Sequence, residues 1–171
     1  REGSKLSVWT DDRALHLEVN AKDDEIVAAP NHHLWLGDGI EVFVDRTPFQ
    51  GINHDRYPVA RKTVEGRQYV FAATPATDGA EVVLLKNRRS SKTKASVKVS
   101  PTSDGYKLLA SIPLEEIAPL KNREGVVGLT AQRCQVSKTR KREVEYWQAP
   151  NKESHARRHH YPLFTVEALK K

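Results

Sequence analysis

From Ile40 to Asp45 the chain alternates residue by residue: Ile40, Val42 and Val44 are branched and apolar, and Glu41, Phe43 and Asp45 stand between them. Successive side chains of a strand point to opposite faces, so this run sets a β-branched face suited to a core against a face carrying Glu41, Phe43 and Asp45. The period of two returns along most of the chain. Leu6-Ser7-Val8-Trp9 leads into the turn Asp11-Asp12-Arg13, after which Leu15, Leu17 and Val19 alternate with His16, Glu18 and Asn20 in a hairpin pattern. Residues 67–72, 81–85, 96–99, 106–112, 126–136, 144–147 and 163–166 also read as strands. Asp104-Gly105 opens the strand that Pro113 ends, and Leu114 to Ile117 reads as one helical turn that Pro119 stops. Arg46 to Glu65 and Asn87 to Thr93 read as long loops, and Asp38-Gly39 as a turn before the Ile40 strand. Many short strands with almost no helical periodicity predict an all-β antiparallel fold, a sandwich or a barrel.

A chain of 171 residues suits one domain, residues 1–171, with a sizeable core. No apolar run approaches the ~18 residues of a spanning helix. The N-terminal residues Arg1 to Lys5 lack the apolar stretch of a signal peptide, as a processed or excised domain would. One cysteine, Cys134, rules out an intramolecular disulfide and a Cys-rich zinc site, and reads as a small core or sheet residue. The formal charge of +6 comes mainly from three runs, 86–98, 138–142 and 152–160. Their Ser, Thr and Asn content marks solvated loops, and apart from Tyr161 they lack the interleaved aromatics that nucleic-acid binding uses, so neither nucleic acid nor membrane insertion is expected.

Trp35 precedes Gly37, Asp38 and Glu41, so an aromatic ring and carboxylates meet at one end of a strand. A sugar asks for such a pair: a flat apolar plate for its C–H face and acceptors for its hydroxyls. A buried Trp at a sheet rim beside an Asp-Gly turn accounts for the same residues. His32 and His33 are adjacent and on a strand would face opposite ways, while His155, His159 and His160 lie among Arg157 and Arg158, whose charges repel a cation. Glu115 and Glu116 diverge on a short turn, and no nucleophile motif, phosphate loop or metalloprotease motif is present, so no catalytic residue is assigned.

The order Leu6 to Asp12, Leu15 to Val19, Lys22-Asp23-Asp24, then Trp35 to Asp45, resembles the family 9 carbohydrate-binding modules and their relatives. Asp104-Gly105-Tyr106 followed by Ala110 to Leu114, Gly128 to Gln132, and Tyr146-Trp147 extend the resemblance over nearly the whole chain. It implies an antiparallel β-sandwich with immunoglobulin-like or jelly-roll-like layering. It also implies that Trp35 and Trp147 clamp a terminal sugar ring, that Glu41 is the ligand-binding carboxylate, and that Gln132, Arg67 and Gln68 supply polar contacts. Cys134 and Gln135 stand where the family usually has a polar pair, and the usual leading strand is missing, as in a piece of a larger protein. The family often holds structural calcium, for which Asp11, Asp12, Asp23 and Asp24 are candidates; backbone hydrogen bonding at turns explains them equally well. Haem-binding relatives commonly use a methionine ligand, which a chain with no methionine excludes.

The resulting expectation is noncatalytic binding of an oligosaccharide or polysaccharide, without a required cofactor, in the service of polysaccharide degradation. The chain would be linked to other domains and extracellular, periplasmic or at a cell surface. Arg61, Lys62, Arg67, Arg133, Arg157 and Arg158 suggest an acidic polysaccharide. The alternative is a structural or protein-interaction β-sandwich whose sugar site has decayed.

Overall fold

The computed structural model describes residues 4–46, 66–86, 89–118, 126–137, 139, 141–147 and 163–165. Two antiparallel sheets carry the fold, as the alternation predicts. The smaller runs β1 (Lys5–Thr10), β2 (Ala14–Lys22), β8 (Gly105–Pro113) and β7 (Ser96–Thr102) in that order. The larger runs β10 (Arg142–Trp147), β9 (Val126–Val136), β3 (Gly39–Asp45), β4 (Gly66–Ala72), β5 (Val82–Lys86) and β6 (Arg89–Ser91), with β11 (Leu163–Thr165) also paired to β9. A single helical turn, α1 (Leu114–Ile117), follows β8.

Alternation decides what each sheet buries. Leu15, Leu17 and Val19 of β2 and Tyr106, Leu108, Ala110 and Ile112 of β8 meet Ile40, Val42 and Val44 of β3, Tyr69 and Phe71 of β4, and Leu129 and Ala131 of β9 in one core. The two sheets therefore form a β-sandwich around interdigitated inner faces. Gly105 opens β8 in the positive-φ region, and a Cβ there would meet the Ala21 carbonyl oxygen at 2.0 Å, which keeps the chain tight where β8 leaves its turn.

Two elements depart from the expectation. The segment 87–93, read as a loop, contains β6, which pairs Ser90 with Leu85 and Arg89 with Lys86. A strand of three exposed or half-buried polar residues has no apolar alternation, so pairing to β5 alone makes it visible. Leu34–Leu36 forms a 3-10 turn before β3. Of the other expected loop, Arg46 is described and residues 47–65 lie outside the described residues; Arg46 Nε donates to the Ala118 carbonyl at 2.7 Å.

Glu116 fastens α1 to the sandwich. Its carboxylate accepts from the Tyr69 hydroxyl at 3.1 Å, the Thr93 hydroxyl at 2.8 Å and the Lys94 backbone N–H at 2.7 Å. Glu115 turns outward to Lys94 Nζ, so the two glutamates do diverge. Burial and the Glu116 charge both push the Tyr69 phenol above its usual range. Glu116→Ala should lower unfolding free energy by about 1–3 kcal/mol, seen as a reduced denaturant midpoint. Glu116→Gln, which keeps an acceptor oxygen, should recover part of it.

Candidate functional site

The central strand β3 is buried on both faces: Ile40, Val42 and Val44 look into the sandwich, and Glu41, Phe43 and Asp45, each 3% exposed, lie on the outer face. Register then assembles a polar row. Glu41 pairs with Gln132 of β9 on one side and Val70 of β4 on the other, and Phe43 pairs with Gln68 and Thr130. Gln68 Nε2 donates to Glu41 Oε2 at 2.7 Å, and the buried Cys134 thiol donates to Oε1 at 2.8 Å. Each oxygen of the carboxylate is thus engaged from a different neighbouring strand, which fixes its plane.

Trp35 stands beside this row. The 3-10 turn that carries it contacts β3, β4 and β9. The half-buried Trp35 ring packs on a small outer-face cluster of Ala29, Leu34, Val70, Ala72 and Ala76. The His33 ring meets it edge-on, with centroids 4.9 Å apart and planes at 69°. His32 and His33 are on a loop, not a strand, so their rings lie together at 4.4 Å. The expectation of opposite faces fails because the loop backbone lacks the two-residue period.

Asp38 holds the entrance to β3. It is 1% exposed, and its carboxylate accepts backbone N–H groups from Val27 at 2.5 Å and Val136 at 2.6 Å. Its own backbone pairs with Val27 O and Ala73 N. Gly39 is already the first strand residue, where a Cβ would lie 2.1 Å from the Phe71 carbonyl oxygen. The chain bends at Gly37 and Asp38, and to that bend the Asp-Gly pair adds a long-range clasp and a close strand contact. Burial pushes the Asp38 carboxyl up to about 6, outweighing the lowering pull of the Val27 and Val136 N–H groups.

The remaining expected site residues separate by face. Arg67 and Arg133 are sequence neighbours of Gln68 and Gln132, and adjacent strand residues face opposite ways. Arg133 is accordingly buried, with Nη2 2.7 Å from Asp23 Oδ2, Nη1 2.7 Å from Ser4 Oγ, and its guanidinium 5.7 Å from the Tyr106 ring centre. It is engaged inside the fold and does not stand beside Gln132. Arg67 is half-buried and pairs in register with Val44 and Lys86. In register, Trp147 lies opposite Ala131 and Tyr146 opposite Gln132 on the neighbouring strand β9. Arg61, Lys62, Arg157, Arg158, His155, His159 and His160 lie outside the described residues.

The four aspartates do not converge. Asp11 and Asp12 sit before β2 and Asp23 and Asp24 after it, about 30 Å of strand apart at the usual rise. Asp11 accepts the Arg13 and Ala14 N–H groups and pairs with His16, which hold its carboxyl down at about 2. Asp23 faces the Arg133 guanidinium. Among the described residues no group of three or more His, Cys, Asp or Glu side chains is placed to hold a metal ion. The contributions of Cys134 and His33 escaped the sequence reading. The period of two did signal Cys134, two residues beyond Gln132 on one strand, whereas nothing local announced His33.

A family model described as a carbohydrate family 9 binding domain-like domain matches residues 3–161. The chain belongs to this family. Family 9 modules are noncatalytic binding domains. Two solved family 9 carbohydrate-binding modules from Caldicellulosiruptor kristjanssonii share the fold. One, in complex with cellotriose, has a TM-score of 0.62 at 16% identity over 94% of this chain and 72% of that one. The other, in complex with glucose, has a TM-score of 0.60 at 16% identity over 94% of this chain and 74% of that one. A comparison with curated proteins found no match.

Two stability measurements follow from the buried charges. Asp23→Ala leaves Arg133 without its carboxylate and should cost about 3–5 kcal/mol in denaturant unfolding. For Asp38, the folded value of about 6 exceeds the unfolded value of 3.8, so its stabilising contribution is complete below pH 3.8 and lost as pH rises through about 6. The loss should approach about 3 kcal/mol. Asp38→Asn, although weaker overall because its amide would face a backbone N–H, should lack that slope between pH 4 and 6.

Proposed function

We propose that this family 9 module binds the end of a glycan on the outer face of the large sheet, beside Trp35. The observation that carries this is the Glu41 row: a buried carboxylate held on both oxygens, paired in register with Gln132 and bonded to Gln68, with the half-buried Trp35 indole packed on Val70, the register partner of Glu41 on β4. Ring stacking on Trp35 would supply apolar contact, and the fixed carboxylate and amides would match the directions of paired hydroxyls. The cellotriose and glucose held by the two structural relatives make glucose and β-linked glucose oligomers the first ligands to try. Tyr146 and Trp147, opposite Gln132 and Ala131 in the register of β10 and β9, are the candidates for the second aromatic contact.

Binding of this kind would keep a linked polysaccharide-degrading domain near its substrate by raising effective concentration, with no chemistry in the module itself. An acidic polysaccharide is a narrower form of the proposal. Since Arg133 is engaged inside the fold and Arg67 lies on the sheet face opposite to Gln68, that form rests on the basic residues at 61–62 and 157–158.

Calorimetry with glucose, cellotriose, a uronate-containing oligosaccharide and a sulfated one tests both levels. Trp35→Ala and Glu41→Ala should each weaken binding about tenfold or more while the circular-dichroism spectrum stays that of a sheet protein. Binding that is unchanged in both variants would overturn the site. An acidic preference requires affinity for the charged sugars to fall with added salt, because exposed ion pairs are screened over ~8 Å at physiological ionic strength; equal, salt-insensitive affinity for all four would exclude it.

A further inference from the structure

We infer that His33 determines specificity at this site, its Nε2 accepting a hydrogen bond from one hydroxyl of the sugar beside Trp35. The inference rests on the function proposed above and adds a named contact to it. Asn31 Oδ1 receives both the His33 backbone N–H at 2.9 Å and His33 Nδ1 at 2.6 Å. A backbone N–H can only donate, so the atom it reaches is the amide oxygen, and Nδ1 must then donate to that oxygen as well. In the neutral ring the proton therefore resides on Nδ1, and Nε2 presents a lone pair. Nε2 has no hydrogen-bond partner among the described residues.

The loop that carries this acceptor is held in place. Thr77 N–H donates to the Ala29 carbonyl at 3.1 Å, the Thr77 hydroxyl donates to the Pro30 carbonyl, and His32 N–H donates to Asp78 Oδ2 at 2.8 Å. The His33 ring is further fixed edge-on against Trp35, and the His32 ring lies against it with planes tilted by 36°. His32 itself is exposed and turned toward Asp78, with Nδ1 3.6 Å from Oδ2. Tautomer, ring plane and distance from the indole are thus set before any ligand arrives. A pre-positioned acceptor beside a stacking surface discriminates between sugars by which hydroxyl meets it, since a sugar lacking that hydroxyl leaves the acceptor unpaired.

A purely structural role, bracing Trp35, predicts different behaviour. His33→Phe keeps an aromatic ring against Trp35 and removes the acceptor, whereas His33→Gln supplies a polar amide near the Nε2 position. Calorimetry of the whole chain with glucose and a set of monodeoxyglucoses separates the two roles. The contact predicts about a tenfold loss in His33→Phe and partial recovery in His33→Gln. It also predicts one deoxyglucose that binds wild type about tenfold worse than glucose yet binds His33→Phe as well as glucose does. Losses in His33→Phe that are the same factor for every sugar, or no loss at all, overturn the contact and leave the site standing. A wild-type chain that binds neither glucose nor cellotriose overturns the site and the contact together.

Discussion

A strand buried on both faces cannot leave a carboxylate unpartnered, and β3 carries two such groups on its outer face with a third, Asp38, at its entrance. The cost of an unsatisfied buried charge is several kcal/mol, so the surrounding strands are organised around meeting it. Gln68 from β4 and Cys134 from β9 reach Glu41, while Val27 and Val136 offer their N–H groups to Asp38. The geometry that satisfies these charges also makes the outer face of the large sheet a rigid polar surface.

The same logic extends to the loop after β2. Asp23 and Arg133 are each 5% exposed at the side chain and 2.7 Å apart, so the pair joins that loop to β9 through the interior. Asp38 joins the following segment to β3 and β9, and the Ala29 to His32 segment is tied in turn to residues 77–78. Trp35 and His33 emerge from a loop anchored along its length, which suits a recognition surface because little ordering entropy remains to be lost when a ligand binds.

Most of the architecture was legible residue by residue. Leu15, Leu17 and Val19, like Ile40, Val42 and Val44, announced both the strands and their inner faces, because apolar burial selects a period of two. The resemblance grouped Glu41, Gln68 and Gln132, and the sheet register sets Glu41 opposite Gln132 with Gln68 donating to its carboxylate. Strand β6 escaped because its residues are polar and it exists through pairing with β5. Arg133 misled, since its proximity to Gln132 along the chain is distance through the sheet to the opposite face.

The sequence by itself determined the local quantities: where strands run, which side chains alternate inward, and which residue types could meet a sugar. Only the tertiary structure decided which strands became neighbours. Sheet order set β3 between β4 and β9, and that adjacency gave Glu41 its amide and thiol donors and Asp38 the Val136 N–H, while the return of the segment after β2 brought Val27 to Asp38 and Asp23 to Arg133. Period and propensity act over a few residues, whereas these contacts join positions up to 129 residues apart. Their partners are chosen by the free energy of closing the sandwich over charged groups, a quantity that belongs to the whole fold.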